Sequence, residues 1–200
     1  MVTGVDVRAG LDRLAERLGG AGARVTEAQR LSGGASMETW GFAIEGQGGT
    51  ERLILRRRSV PFDPENARSI PLATEAALIQ ATGANGARAP KVRHVCDDAD
   101  GLGEAYVMVR VDGETLGRKI TSDPRFDAVR PALARQCGEA LAQIHATPPP
   151  PGLELKTVDA AFELDRYEDV YRATGAQRPI LELAFQYLRQ HVPAPVELVL

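Results

Sequence analysis

Leu31-Ser32-Gly33-Gly34-Ala35-Ser36 is the stretch whose reading decides the fold. Arg24 to Leu31 alternates weakly and predicts a strand leading into it. Met37-Glu38-Thr39-Trp40-Gly41-Phe42-Ala43-Ile44 predicts the strand leaving it, and Arg52-Leu53-Ile54-Leu55-Arg56 a basic strand soon after. Glycines let a backbone approach a phosphate closely, and small residues leave N–H groups free to point at it. A fixed cation one strand later would hold the same phosphates. The order therefore predicts a phosphate clamp of Ser32, Gly33, Gly34 and Ser36 with Arg56. The plainer alternative makes Gly33-Gly34 a hairpin bulge and Arg56 a solvated charge. Arg57 and Arg58 compete for the same role. Alternation puts Leu53 and Leu55 on one face and Ile54 and Arg56 on the other, which favours Arg56.

Outward from the loop, the pattern changes type. Val7, Leu11, Leu14, Ala15 and Leu18 recur at helical spacing until Gly19-Gly20 stops them. Gly46-Gln47-Gly48-Gly49 joins the two strands after the loop, the second running from Arg52 to Arg57. A proline-bearing loop follows. Ser69 is placed to cap a helix with Pro71 in its first turn and Gly83 at its end. Lys91–Cys96 and Ala105–Val111 predict strands around Asp97-Asp98-Ala99-Asp100-Gly101. After Gly113 the strands cease. Arg130–Ala146 carries Leu133, Cys137, Leu141 and Ile144 on one face of a helix. Prolines 148–151 form a connector, and Ala161–Thr174 and Pro179–His191 predict two more helices. Val196–Leu200 predicts a further strand.

Composition excludes several classes. The 200 residues are 44% hydrophobic and 26% charged, with net charge −3, which is an ordinary globular balance and no footprint for nucleic acid. Two cysteines without metal-ligand spacing predict buried free thiols. No apolar run approaches membrane length, and the N-terminus lacks a basic-then-apolar leader, so a cytoplasmic protein with no membrane partner is expected.

The run Tyr106-Val107-Met108-Val109-Arg110-Val111-Asp112-Gly113 is an apolar strand leaving onto a linker. Strand, glycine loop, strand, basic strand, helix with an acid, strands, linker, helices is the order of a protein-kinase N-lobe. With Leu141-Ala142-Gln143-Ile144-His145 ending a helix, the chain resembles the aminoglycoside phosphotransferase-like family of small-molecule kinases from about residue 20 to residue 200. The resemblance implies an α+β, protein-kinase-like fold: an N-lobe antiparallel sheet plus helix over 1–111, a hinge, and the start of a helical C-lobe over 112–200. It implies that Glu75 orients Arg56, as a glutamate orients the nucleotide-binding lysine in kinases. Met108 would line the back of an adenine pocket, and Val109 and Val111 would offer backbone C=O and N–H to adenine. His145 matches a structural histidine at the end of the first C-lobe helix.

The same family places its chemistry in a later His-Gly-Asp loop, with a downstream Asn and a metal-binding Asp. None of these motifs occurs in the 200 residues. The chain thus reads as cut before its catalytic loop, with no catalytic and no metal-binding residue of its own. The implied function is ATP-dependent phosphoryl transfer, with Mg²⁺ held by ligands downstream of Leu200, to a hydroxyl of a small acceptor. The other class is a non-catalytic nucleotide-binding or regulatory module. Asp98-Ala99-Asp100-Gly101 fails as a calcium loop, because Cys96 and Val107 would fall at its ligand positions. Glu163, Asp165, Glu168 and Asp169 share one predicted helix, read as a solvated face in preference to a seat for a cationic acceptor.

Overall fold

A computed structural model describes residues 5–31, 37–64, 69–194 and 199–200. The chain divides into two units, Met1–Leu153 with Leu200, and Glu154–Val199. The first unit opens with α1 (Val7–Gly19), whose Asp6 side chain accepts from the Ala9 N–H. β1 (Arg24–Leu31), β2 (Met37–Gly46) and β3 (Gly49–Arg58) follow as an antiparallel meander. α2 (Leu72–Ala84), β4 (Val92–Val95) and β5 (Ala105–Val109) complete a five-stranded sheet of order β1-β2-β3-β5-β4. α3 (Gly117–Ser122) and α4 (Arg130–His145) end the unit. The second unit is the helix pair α5 (Ala160–Ala173) and α6 (Pro179–Gln190). The fold is α+β, with the antiparallel sheet and helix of a kinase-like N-lobe and a partial helical part after it.

The sheet has two unlike faces, and alternation assigns them. Leu53, Leu55 and Val107 point to α1 and pack with its Leu11, Leu14 and Ala15 and with Phe42 and Ile44. Each buried leucine there contributes about 1.5–3 kcal/mol. Tyr106 points the other way and packs with Leu72, Ala76 and Val92 under α2, with Met108 at the edge of the cluster. Gly46 is required where α1 crosses the β2–β3 turn, since a Cβ on it would meet the Gly19 carbonyl oxygen at 2.6 Å.

Several expectations change in detail. β2 and β3 run on to the turn, so the hairpin is longer at both ends than its hydrophobic runs suggest. Ser69 does not cap α2: its hydroxyl accepts from Arg58, and Pro71 takes the cap position without a side-chain bond. The Glu104 carboxylate, from the β4–β5 loop, accepts the Leu72 N–H at 2.5 Å instead. β5 stops at Val109 rather than Val111, because Val111 has left the sheet and is exposed. Both thiols are free, but neither is fully buried: Cys96 is half-buried and Cys137 exposed. Its helix face, with Leu141 and Ile144, is exposed as well. Most of the predicted strand Val196–Leu200 lies outside the described residues.

Candidate functional site

Three consecutive arginines end β3, and the structure separates their roles. Arg57 turns to the α1 face, where it donates to Glu38 at 2.6 Å and to the Leu102 carbonyl at 3.3 Å. Burial raises the Glu38 pKa, but hydrogen bonds from Arg57 and Trp40 outweigh it and hold the carboxylate below its usual range. Arg58 is buried too and donates to Glu104 at 2.6 Å and to the Ile70 carbonyl at 2.7 Å. Both are consumed by tying loops to the sheet. Arg56 alone faces α2, with Nε 2.8 Å from Glu75 Oε1. That N–H does not aim along the contact, so the two form an ion pair rather than an aligned hydrogen bond. The Tyr106 hydroxyl, beside Arg56 in the next strand, donates to the same Glu75 oxygen at 2.9 Å. Burial, then the Glu75 charge, pushes the Tyr106 pKa far above its ordinary value, so it remains a donor.

On the same face of the sheet lies a cleft of about 1020 Å³. Leu31, Thr39 and Ile54 line its sheet side, Ala89 and Pro90 one flank, and Met108 to Leu116 the other. The Val109 N–H is spent on the Lys91 carbonyl at 2.8 Å and the Arg110 N–H on the Arg52 carbonyl at 2.9 Å. The Val111 N–H, one residue beyond, has no acceptor among the described residues. Asp112 and Glu114 are the described acids at this edge. Asp112 accepts from Arg52 at 2.9 Å, and Glu114 accepts the Thr115 and Leu116 N–H groups and faces Lys119 at 3.4 Å.

Of the residues singled out in the sequence, Met108, Val109 and Val111 line this cleft. Arg56 and Glu75 meet each other beneath α2, and Thr39, paired with Arg56 across β2 and β3, reaches the cleft. Ser32, Gly33, Gly34 and Ser36 lie outside the described residues.

Sequence reasoning missed a second polar centre. Asp100 is 1% exposed. Its carboxylate accepts from Arg17 at 3.0 Å and from the Asp97 N–H at 2.9 Å, and it contacts His94 Nε2 at 2.8 Å. Burial raises its pKa, but these bonds, His94 first, bring it below the ordinary value. Cys96 lies in the same cluster, its thiol pushed up to about 12 by burial and then by Asp100 and Asp97. The arginine on Asp100 makes this a structural tie between α1 and the β4–β5 connection. Nothing local in an acid-rich turn marks Asp100 as buried.

In the second unit, Glu163, Asp165 and Glu168 of α5 are paired rather than free. Arg166 donates to Glu163 at 2.7 Å, Arg189 lies 2.9 Å from Asp165, and Glu168 accepts from both Arg172 and Arg189. These ion pairs are internal to the helix pair, and they neutralise much of the face that the sequence offered to a cation.

No helix among the described residues is long and apolar enough to cross a membrane. A search of curated proteins finds no match to this chain. Residues 27–200 do match the model of one protein family, the phosphotransferase enzyme family. That span takes in the whole sheet from Glu27 onward, the Arg56–Glu75 pair, the cleft and the helices beyond it, and the chain therefore belongs to the phosphotransferase enzyme family.

Proposed function

We propose that this chain is the nucleotide-binding part of an ATP-dependent kinase that phosphorylates a hydroxyl of a small molecule. The observation that carries the reading is the Arg56–Glu75 ion pair on the cleft face of the sheet, with Arg57 and Arg58 both committed elsewhere. Arg56 keeps a permanent charge for phosphate oxygens, and Glu75, held by Tyr106, keeps it from turning away. Residues 1–111 act as the N-lobe and 112–200 as the start of the C-lobe. Adenine lies against Ile54 and Met108 and takes its hydrogen bonds from the Val109 C=O and the Val111 N–H. Ser32, Gly33, Gly34 and Ser36 cover the phosphates.

The described residues fit a nucleotide better than they fit its metal. Leu31, Ile54 and Met108 in the cleft wall suit a base, and the open Val111 N–H suits a ring nitrogen. Asp112 and Glu114 are engaged by arginine, lysine and amide groups and offer no pair of free carboxylates for Mg²⁺, so no step is assigned to a metal here. ATP, when bound, supplies the transferable phosphoryl group. The residues of this chain bind and orient it, and the acid that receives the acceptor's proton is not among them. The 200 residues alone are accordingly expected to bind ATP without transferring phosphate, in the cytoplasm.

The test is to express residues 1–200 beside the longer open reading frame, if the gene continues, with ATP, Mg²⁺ and a panel of hydroxylated small molecules. ATP should bind the short chain by calorimetry, without acceptor-dependent ADP release. Turnover by the short chain would place the catalytic acid among residues read here as structural. Failure of ATP to bind would remove the nucleotide assignment itself.

A further inference from the structure

Arg110 stands out among the groups at the cleft because its guanidinium lacks a close partner among the described residues. Its one described polar contact is loose, Nε to Asp112 at 3.7 Å, and that aspartate already accepts from Arg52 at 2.9 Å. Yet the side chain is only 36% exposed. It lies along the sheet rather than in solvent.

Its seat is made by a gap in a row of side chains. Gln29, Gly41, Ile54 and Met108 pair across β1, β2, β3 and β5 and point to the cleft face. Gly41 contributes nothing to that row. A Cβ there would sit 3.5 Å from Arg110 Nη1 and 3.8 Å from both terminal carbons of Leu31. The arginine thus covers the hole in the roof, beside Ile54 and Leu31, and lines the cleft. Its backbone is fixed opposite Arg52, four residues along β3 from Arg56. Four strand residues span about 13 Å. The two cations therefore mark opposite ends of the cleft face, at a spacing that a base and its phosphate chain can bridge.

We infer that Arg110 grips the nucleobase, its planar cation lying over the purine face in the seat that Gly41 leaves open. This rests on the nucleotide reading of the cleft. A guanidinium is planar, weakly hydrated and stacks on π faces, whereas an ammonium is a compact, strongly hydrated point charge. Ile54 and Leu31, which line the cleft with it, give that stacking an apolar flank.

The experiment measures ATP by calorimetry and adenosine by ligand-observed NMR on the 200-residue chain and its variants. Arg110→Ala should weaken both ligands by the same factor, about three- to thirty-fold, the range a cation over an aromatic face is worth. Arg110→Lys should recover only part of the loss. Gly41→Ala should keep wild-type affinity, because 3.5 Å from its Cβ to Arg110 Nη1 is an ordinary van der Waals contact. Gly41→Val should reproduce the Arg110→Ala loss, and the double variant should lose no more than either alone. Unchanged ATP affinity in Arg110→Ala, with ATP bound by the wild type, overturns this assignment and leaves the nucleotide reading standing. A loss for ATP with none for adenosine overturns it too, by moving Arg110 to the phosphates. A wild-type chain that binds no ATP overturns both readings together.

Discussion

The two faces of the sheet are built from the same strands and are put to different uses. Toward α1 the side chains are mostly apolar, with the Arg57–Glu38 pair at the edge, and Leu11, Leu14, Leu53, Leu55 and Val107 are fully buried. Toward α2 the apolar cluster is smaller, an ion pair sits at its edge, and the rest of the face opens into the cleft. Alternation along β3 sends each successive residue to one face or the other: Leu53 and Leu55 to the core, Ile54 to the cleft and Arg56 to the ion pair beside it. One face holds the unit together so that the other can remain polar and open. Substitutions on the first should therefore cost stability, and substitutions on the second should cost binding.

The largest expected effect is on the α1 face. Leu55→Ala should destabilise the chain by about 2–5 kcal/mol in denaturant titrations, from lost burial and the cavity left behind. A cost under about 1 kcal/mol would mean that this face is not the main core.

Next comes the contrast between neighbouring arginines. Arg56→Ala should weaken ATP binding about tenfold or more, the scale of one charged phosphate contact, while the melting temperature moves little. Glu75→Ala should follow in the same direction. Arg57→Ala should do the reverse, lowering the melting temperature by leaving Glu38 half-buried without its main partner, with ATP affinity kept. Identical profiles for the two arginine variants would erase the distinction between the faces.

A smaller effect is expected at the cleft edge. Val111→Pro removes one backbone N–H and should cost about 1 kcal/mol of ATP affinity by calorimetry, with Val111→Ala milder. Equal affinities in two folded variants would take adenine away from this segment.

The smallest effect is a pH dependence confined to acid. Asp97 is held at about 2, first by its hydrogen bond from Arg17, and Asp100 is also lowered. Native values below the unfolded ones mean that their contribution is fully present above about pH 4. It is lost as pH falls through the native values. Thermal melts from pH 6 to pH 2 should show this decline, and it should be shallower in Asp97→Asn. A stability that rises on acidification would reverse the sign and sink the tie between α1 and the β4–β5 connection.

What the sequence made legible is what depends on period and order. The alternation of β3 separates Arg56 from Leu55 without any tertiary information, and the helical spacing in Val7–Leu18 marks α1. The pairing of Arg56 with Glu75 follows once the order of elements suggests a kinase-like lobe. What stayed hidden depends on register between distant segments. Glu104 reads as one acid in a loop, and only the meeting of three segments makes it the partner of Leu72 and Arg58. Gly41 reads as a weak spot in a strand, and only its alignment with Ile54 and Met108 turns it into a seat for Arg110. The apolar face of α4 was equally plain in sequence, and Leu141 on it stands open.

Glu104 has one more consequence. It bonds the first amide of α2 with one oxygen and Arg58 of β3 with the other, and one turn into the helix Tyr106 holds Glu75 from β5. The helix is thus bolted to the sheet at two points on either side of its first turn. In protein kinases the position of the corresponding helix decides whether the cation meets its glutamate. Here both bolts would have to break at once. The pair should stand ready before any nucleotide arrives, and amide exchange in α2 should be equally slow with and without ATP. The fold itself would then set the ion pair, with no movement of this helix left to make it.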